Sequence, residues 1–187
     1  SAGVFLCSNS EHGLDPYAAA QLKNLCDDPA SEGTVIRVMP DVHPGKVCTI
    51  GLTMTTGERV IPHIVGIDIG CGITLAKIKA KKLEFQKLDK VIRENVPSGF
   101  GVRRTPHRFA PEFDFGRLRC AAHINRKKAE LSLGSLGGGN HFIELDKDGE
   151  GNIYLVIHSG SRDLGKEVTA HYVDEGAARL KKAGVDI

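Results

Sequence analysis

Apolar residues recur along this chain with two periods, and the alternation between them lays out its elements. Asp15-Pro16 followed by Tyr17-Ala18-Ala19-Ala20-Gln21-Leu22-Lys23-Asn24-Leu25-Cys26 puts a capping carboxylate and a first-turn proline ahead of good helix formers, which predicts a short helix. Val35-Ile36-Arg37-Val38-Met39 is β-branched and predicts a strand that stops at Pro40. Arg59-Val60-Ile61-Pro62 and Ile73-Thr74-Leu75-Ala76-Lys77-Ile78-Lys79 have strand composition, the second with clear alternation. Turn residues fill 41–51 and 55–58, which places Asp41, His43 and Lys46 in a loop at strand ends.

Further on, Leu83, Leu88, Val91, Ile92 and Val96 form a helical stripe that Pro97-Ser98-Gly99 ends. From Gly99 to Gly116 no period is visible; Gly, Pro, Phe and the basic Arg103, Arg104, His107 and Arg108 predict a long ordered loop or a mobile substrate-side segment. Residues 117–133 predict an amphipathic helix, 142–145 and 152–158 strands with an Asp148-Gly149 turn between them, and 164–182 a final helix. Strands and helices mixed at irregular intervals predict an α+β fold, with mixed sheets and peripheral helices, rather than an alternating barrel. No internal repeat interrupts this reading.

Composition narrows the class. A chain of 187 residues, 41% hydrophobic and 26% charged, is expected to bury one sizeable core and to form a single domain or a large piece of one. A net charge of +2 neither demands nor forbids a nucleic-acid partner. The five cysteines (7, 26, 48, 71, 120) are odd in number and irregular in spacing, which fits a reducing compartment. Residues 1–6 carry no basic-then-apolar leader, and no run reaches the ~20 apolar residues of a membrane span, so a cytoplasmic protein is expected.

Chemistry concentrates in three glycine-studded stretches. Val65-Gly66-Ile67-Asp68-Ile69-Gly70-Cys71-Gly72 holds a carboxylate and a thiol three residues apart inside an apolar run. Gly137-Gly138-Gly139-Asn140-His141-Phe142 and Val156-Ile157-His158-Ser159-Gly160-Ser161-Arg162 each set an imidazole at the edge of a strand-like segment. Oxygen, sulfur and two imidazoles suit a transition metal, and on ligand type alone zinc fits as well as any. Each residue also has a plainer reading: Cys71 as a small buried apolar group, Asp68 as a turn cap, the glycine triplet as a hinge, and His158 as an imidazole paired with a carbonyl. His12, His107, His123 and His171 lack such surroundings and are expected at the surface.

Four ordered blocks carry a resemblance: Met39-Pro40-Asp41-Val42-His43-Pro44-Gly45-Lys46, residues 65–72, residues 133–144, and residues 158–162. In these the chain resembles the RtcB RNA ligases, GTP- and manganese-dependent enzymes of tRNA splicing and RNA repair. Residues 81–132 match least. The resemblance implies an RtcB-type fold in which Asp68, Cys71 and His141 hold one manganese ion, while Cys71 and His158 help to hold a second. It also implies that Asn140, Phe142 and Glu144 contact the guanylate, that Arg162 binds phosphate, that Asp41 bears on activity, and, more weakly, that Lys46 and His43 meet RNA. The implied reaction joins a 2′,3′-cyclic-phosphate or 3′-phosphate RNA end to a 5′-hydroxyl end through a guanylylated histidine.

Family members are longer. Their guanylylated histidine and a further metal-binding histidine have no counterpart here, so the chain is expected to be an N-terminal portion, inactive alone, that a complementary C-terminal chain or activating partner completes. Two other readings remain open: a metal-dependent phosphoesterase that opens cyclic phosphates with a metal-activated water, and a non-catalytic metal- and RNA-binding module using the basic stretch around Arg103 to Arg108.

Overall fold

A computed structural model describes residues 3–6, 13–79 and 83–184. Cys7 and His12 lie outside that range. Contacts divide the chain into two compact units, Ser1–Val65 and Gly66–Ile187. The fold is α+β, as expected.

The first unit packs helix α1 (Pro16–Asp27) on a three-stranded mixed sheet. Asp15 caps α1 by accepting from the amides of Tyr17 (2.8 Å) and Ala18 (3.1 Å), a bond worth about 1 kcal/mol. Strand β2 (Val35–His43) lies between β1 (Gly3–Leu6), which runs parallel to it, and β3 (Ile50–Met54), which runs antiparallel. Leu22 and Leu25, three residues apart on α1, meet Ile36 and Val38, which alternate with exposed residues on β2. Each such aliphatic side chain contributes about 1.5–3 kcal/mol of transfer free energy when fully buried.

Two expectations in this unit need correction. The strand does not stop at Pro40 but runs through it to His43. Among the described residues β1 pairs as far as Val38, and the pairing with β3 shifts between Val38 and His43, so no ladder bond there requires the amide that proline lacks. Residues 59–62 form no strand: Pro62 instead heads a 3-10 turn, Pro62–Ile64, and it is Ile50–Met54 that completes the sheet.

The second unit is built on an antiparallel sheet in the order β4 (Gly72–Ile78), β6 (Ile153–Ser159), β5 (Phe142–Lys147). Asp148 organises the β5–β6 turn. Its oxygens accept from the amides of Glu150 and Asn152, the Asn152 side chain (2.7 Å) and the Tyr154 hydroxyl (3.1 Å). Around the sheet stand α2 (Phe85–Asn95), α3 (Arg126–Ser132) and α4 (Arg162–Lys182). Lys128 of α3 pairs with Asp163 of α4 at 3.0 Å.

Of the helix expected over 117–133 only Arg126–Ser132 forms. Phe115 and Cys120 are buried by 3-10 turns at Phe115–Arg117 and Ala121–His123, and the Asn125 side chain then caps α3 through the Lys128 amide. Of the two readings of the 99–116 segment the structure has the ordered loop, with 3-10 turns at Ala110–Glu112 and Phe115–Arg117. Among the described residues no helix is long and apolar enough to cross a membrane.

Candidate metal centre

Register brings the chemistry to one end of the second sheet. Gly72 pairs with Ser159, and His158 faces both Ile73 and Phe142 across its two neighbours. Cys71 directly precedes β4, His141 directly precedes β5, and His158 is the penultimate residue of β6, so three ligand side chains arrive together from segments far apart in sequence. The Nε2 atoms of His158 and His141 lie 3.1 and 3.8 Å from Cys71 Sγ. One ligand atom from each of the three residues falls within 4.8 Å of the others. Two ligands sharing one ion at bonds near 2.0–2.3 Å stand roughly 3–3.6 Å apart, so the cluster has the dimensions of a coordination shell.

Asp68 joins the cluster through the turn that leads to Cys71. Its Oδ2 lies 3.0 Å from His141 Nε2. Its Oδ1 accepts from both the amide and the hydroxyl of Ser161, at 2.8 Å each, and more distantly from the Gly70 amide at 3.4 Å. Gly160 makes this approach geometrically open, because a methyl group there would overlap both carboxylate oxygens. Gly137 does the same for His141, whose ring fills the space that a side chain at 137 would need.

The tautomer of His141 follows from its neighbours. Nδ1 lies 2.9 Å from the Leu136 carbonyl, which can only accept, so Nδ1 carries a proton. In the neutral ring, Nε2 is then a lone pair facing a carboxylate oxygen at 3.0 Å, with a sulfur beyond it. Acceptors facing one another at that distance need a cation between them, either a proton on the ring or a metal ion. His158 Nδ1 is buried without a hydrogen-bond partner, while its Nε2 points at the thiol. The donor set of carboxylate, thiol and two imidazoles, two of them oriented by Ser161 and Leu136, fits a divalent transition metal.

Electrostatics agree with that fit. Burial works to raise the Asp68 pKa, but the Ser161 amide and hydroxyl, His141 and the Gly70 amide outweigh it and hold the carboxyl below its ordinary range. Burial and the neighbouring Asp68 charge push the Cys71 thiol up. The site therefore keeps a ready carboxylate and a thiol that releases its proton only to a strong local cation.

The remaining sequence-predicted residues distribute as follows. Phe142 stacks on the His158 ring (centroids 5.4 Å, 26°), and Glu144, two residues along β5, is exposed on the same sheet face. Asn140 is exposed in the turn before β5. The Arg162 guanidinium donates to the Gly99 carbonyl (2.9 Å) and to Ser135 Oγ (3.1 Å). Asp41, His43 and Lys46 belong to the first unit, where all three are exposed and His43 Nδ1 bonds to the Asp41 carbonyl at 2.9 Å.

Beside Asp68 and His141 a cavity of about 450 Å³ is lined by Gly138, Gly139, Arg162 and Lys166. Sequence reasoning passed over Lys166, whose one signal is its place a helical turn after Arg162. It also passed over Ser161 as a partner of Asp68. His123 and His171, expected as lone surface residues, stack on each other at 4.2 Å, and His107 is half-buried against Phe109.

The family model for tRNA-splicing ligase RtcB matches residues 21–119 and 112–187. The chain belongs to the RtcB family. It is 34% identical to RNA-splicing ligase RtcB of Escherichia coli (strain K12), over 74% of this chain and 39% of that protein. It is 32% identical to tRNA-splicing ligase RtcB of Methanococcus maripaludis, over 80% and 42%, and 28% identical to tRNA-splicing ligase RtcB of Archaeoglobus fulgidus, over 93% and 47%. The chain thus spans less than half the length of these RtcB relatives.

Proposed function

We propose that this chain supplies the metal-holding part of an RNA ligase centre that joins 2′,3′-cyclic-phosphate or 3′-phosphate RNA ends to 5′-hydroxyl ends, in tRNA splicing or RNA repair, using manganese and GTP. The observation that carries the reading is the meeting of His141 Nε2, Asp68 Oδ2, Cys71 Sγ and His158 Nε2 at the end of one sheet, with His141 Nδ1 committed to a carbonyl. Membership of a family whose relatives are named RNA-splicing ligases supports the reaction class.

In this reading Asp68, Cys71 and His141 hold one ion, and Cys71 with His158 contributes to a second. Divalent metal supplies charge neutralisation for crowded phosphate oxygens and alignment of the attacking hydroxyl. Arg162 and Lys166 border the cavity beside Asp68 and offer it positive charge for a phosphate. Phe142 offers a flat apolar face and Glu144 a carboxylate to a guanine, with Asn140 at the entry to the same strand. Asp41, His43 and Lys46 are assigned to activity and RNA contact by resemblance alone. The free thiols of Cys26, Cys48, Cys71 and Cys120 suit a reducing, cytoplasmic setting.

The test uses labelled GTP, Mn2+ and an RNA pair bearing a cyclic phosphate and a 5′-hydroxyl, with the chain alone and with the C-terminal part of an RtcB relative. Covalent label and joined RNA are expected only with the second component. Label on the isolated chain would place the nucleophile among these residues, and cyclic-phosphate opening without GTP would favour a phosphoesterase instead.

A further inference from the structure

We infer that Ser161 is a positioning residue of the metal centre: by occupying Asp68 Oδ1 with two donors it turns Oδ2 alone toward the ion. The inference rests on the metal-centre reading above and adds to it a residue that holds a ligand without touching the metal.

A serine just ahead of a helix is ordinarily its cap, its oxygen accepting from the second or third amide of the first turn. Ser161 stands at that place before α4 and makes no side-chain capping bond to it. Its hydroxyl donates to Asp68 Oδ1 at 2.8 Å instead, and its amide donates to the same oxygen at the same distance. The helix forgoes a side-chain cap while both donors converge on one carboxylate oxygen. That oxygen, already holding two short bonds and a longer one from Gly70, is not free for bidentate coordination. Oδ2 remains, facing His141 Nε2.

Space for this arrangement is kept by two glycines. A methyl group at Gly160 would overlap the Asp68 carboxylate, and one at Gly165, a helical turn beyond Ser161, would overlap the Ser161 hydroxyl. Gly165 is buried inside α4, where glycine is less favourable than alanine. Its place there is explained by the hydroxyl that occupies the volume. Arg162, next in sequence, takes φ +56°, the only positive φ at a non-glycine among the described residues, and ties the start of α4 to Gly99 and Ser135. The Ser161 backbone is thereby anchored within its own element, its carbonyl accepting from the Gly165 amide at 3.2 Å.

The experiment compares the full chain with Ser161→Ala, Ser161→Thr and Gly165→Ala. Affinity for Mn2+ is measured by calorimetry, and Co2+ spectra are recorded at saturation. Loss of an oriented outer hydrogen bond weakens metal binding about 10- to 100-fold. Ser161→Ala is expected to show that loss while retaining the thiolate-to-cobalt charge-transfer band that reports Cys71. Ser161→Thr, which keeps the hydroxyl, is expected to recover most of the affinity, and Gly165→Ala to lose it with the serine in place. Ser161→Ala binding Mn2+ within twofold of the parent, or Ser161→Thr binding as weakly as Ser161→Ala, overturns the inference. A parent chain that binds neither Mn2+ nor Co2+ overturns the metal-centre reading itself, an outcome read before any variant is compared.

Discussion

Replacing Gly160 with alanine tests the centre without removing any ligand. The added methyl would fall inside van der Waals contact of both Asp68 oxygens and its carboxyl carbon, so the carboxylate must swing away. Doing so breaks its two 2.8 Å bonds to Ser161. Hydrogen bonds to a charged acceptor are worth about 1.5–3 kcal/mol each, and a side chain one-third exposed recovers part of that from water, which leaves about 1 kcal/mol apiece. Gly160→Ala should therefore lose about 2 kcal/mol of stability, or very roughly 8 °C in melting temperature for a unit of this size. Mn2+ affinity should fall about tenfold or more, because Asp68 Oδ2 leaves the other ligands. Gly72→Ala is the matched control: it lies one residue from Cys71, its φ is ordinary, and nothing stands within 4 Å of its added methyl. It should stay within about 0.5 kcal/mol of the parent and bind metal unchanged. Thermal melts and calorimetric Mn2+ titrations of the pair decide the matter. Gly160→Ala behaving like Gly72→Ala would show that Asp68 does not sit where these contacts put it.

Metal binding should depend on pH through Cys71. Its thiol pKa is raised and only the thiolate ligates, so from about pH 7 up to that pKa the apparent affinity should rise close to tenfold per pH unit, with about one proton released per ion in calorimetry across buffers of different ionisation enthalpy; Cys71→Ser should abolish that slope, and a pH-independent affinity in the parent would refute it. Asp148 is held at about 2 by the Asn152 side chain first, then by the Asn152 amide, the Tyr154 hydroxyl and the Glu150 amide, against some desolvation. A carboxyl depressed below its ordinary value stabilises the folded state above that value and ceases to do so as pH falls through the folded pKa, so the β5–β6 hairpin should loosen between about pH 4 and pH 2. Carboxyl NMR titration should find the Asp148 midpoint near 2, and a midpoint near 4 would refute the turn network.

What could be seen in the letters, and what could not, divides along a physical line. Helix α1, strand β4, helix α2 and the β5–β6 hairpin announce themselves by local period and turn chemistry, because the interactions that select them lie within a few residues. Strand β3 does not: Ile50-Gly51-Leu52-Thr53-Met54 contains a glycine at φ +82° and becomes a strand through pairing with β2. The residues at 117–125 have helical periodicity yet form turns, because burying Phe115 and Cys120 outweighs local propensity and the first usable cap is Asn125. The centre shows the same division. Cys71, Asp68, His141 and His158 can be picked out by type and by their glycine-studded surroundings, although each alone admits a structural duty. The groups that aim them cannot. Ser161 carries no mark of a tie to Asp68 until the fold closes 93 residues of chain and presents that carboxylate to its hydroxyl. Leu136 is one leucine among many until its carbonyl fixes the tautomer of His141. Lone pairs are properties of residues, whereas the direction in which they point is a property of contacts made across the whole unit. A substitution that changes no ligand residue, as at Gly160, Ser161 or Gly165, is therefore the sharper probe of whether this arrangement was built for an ion.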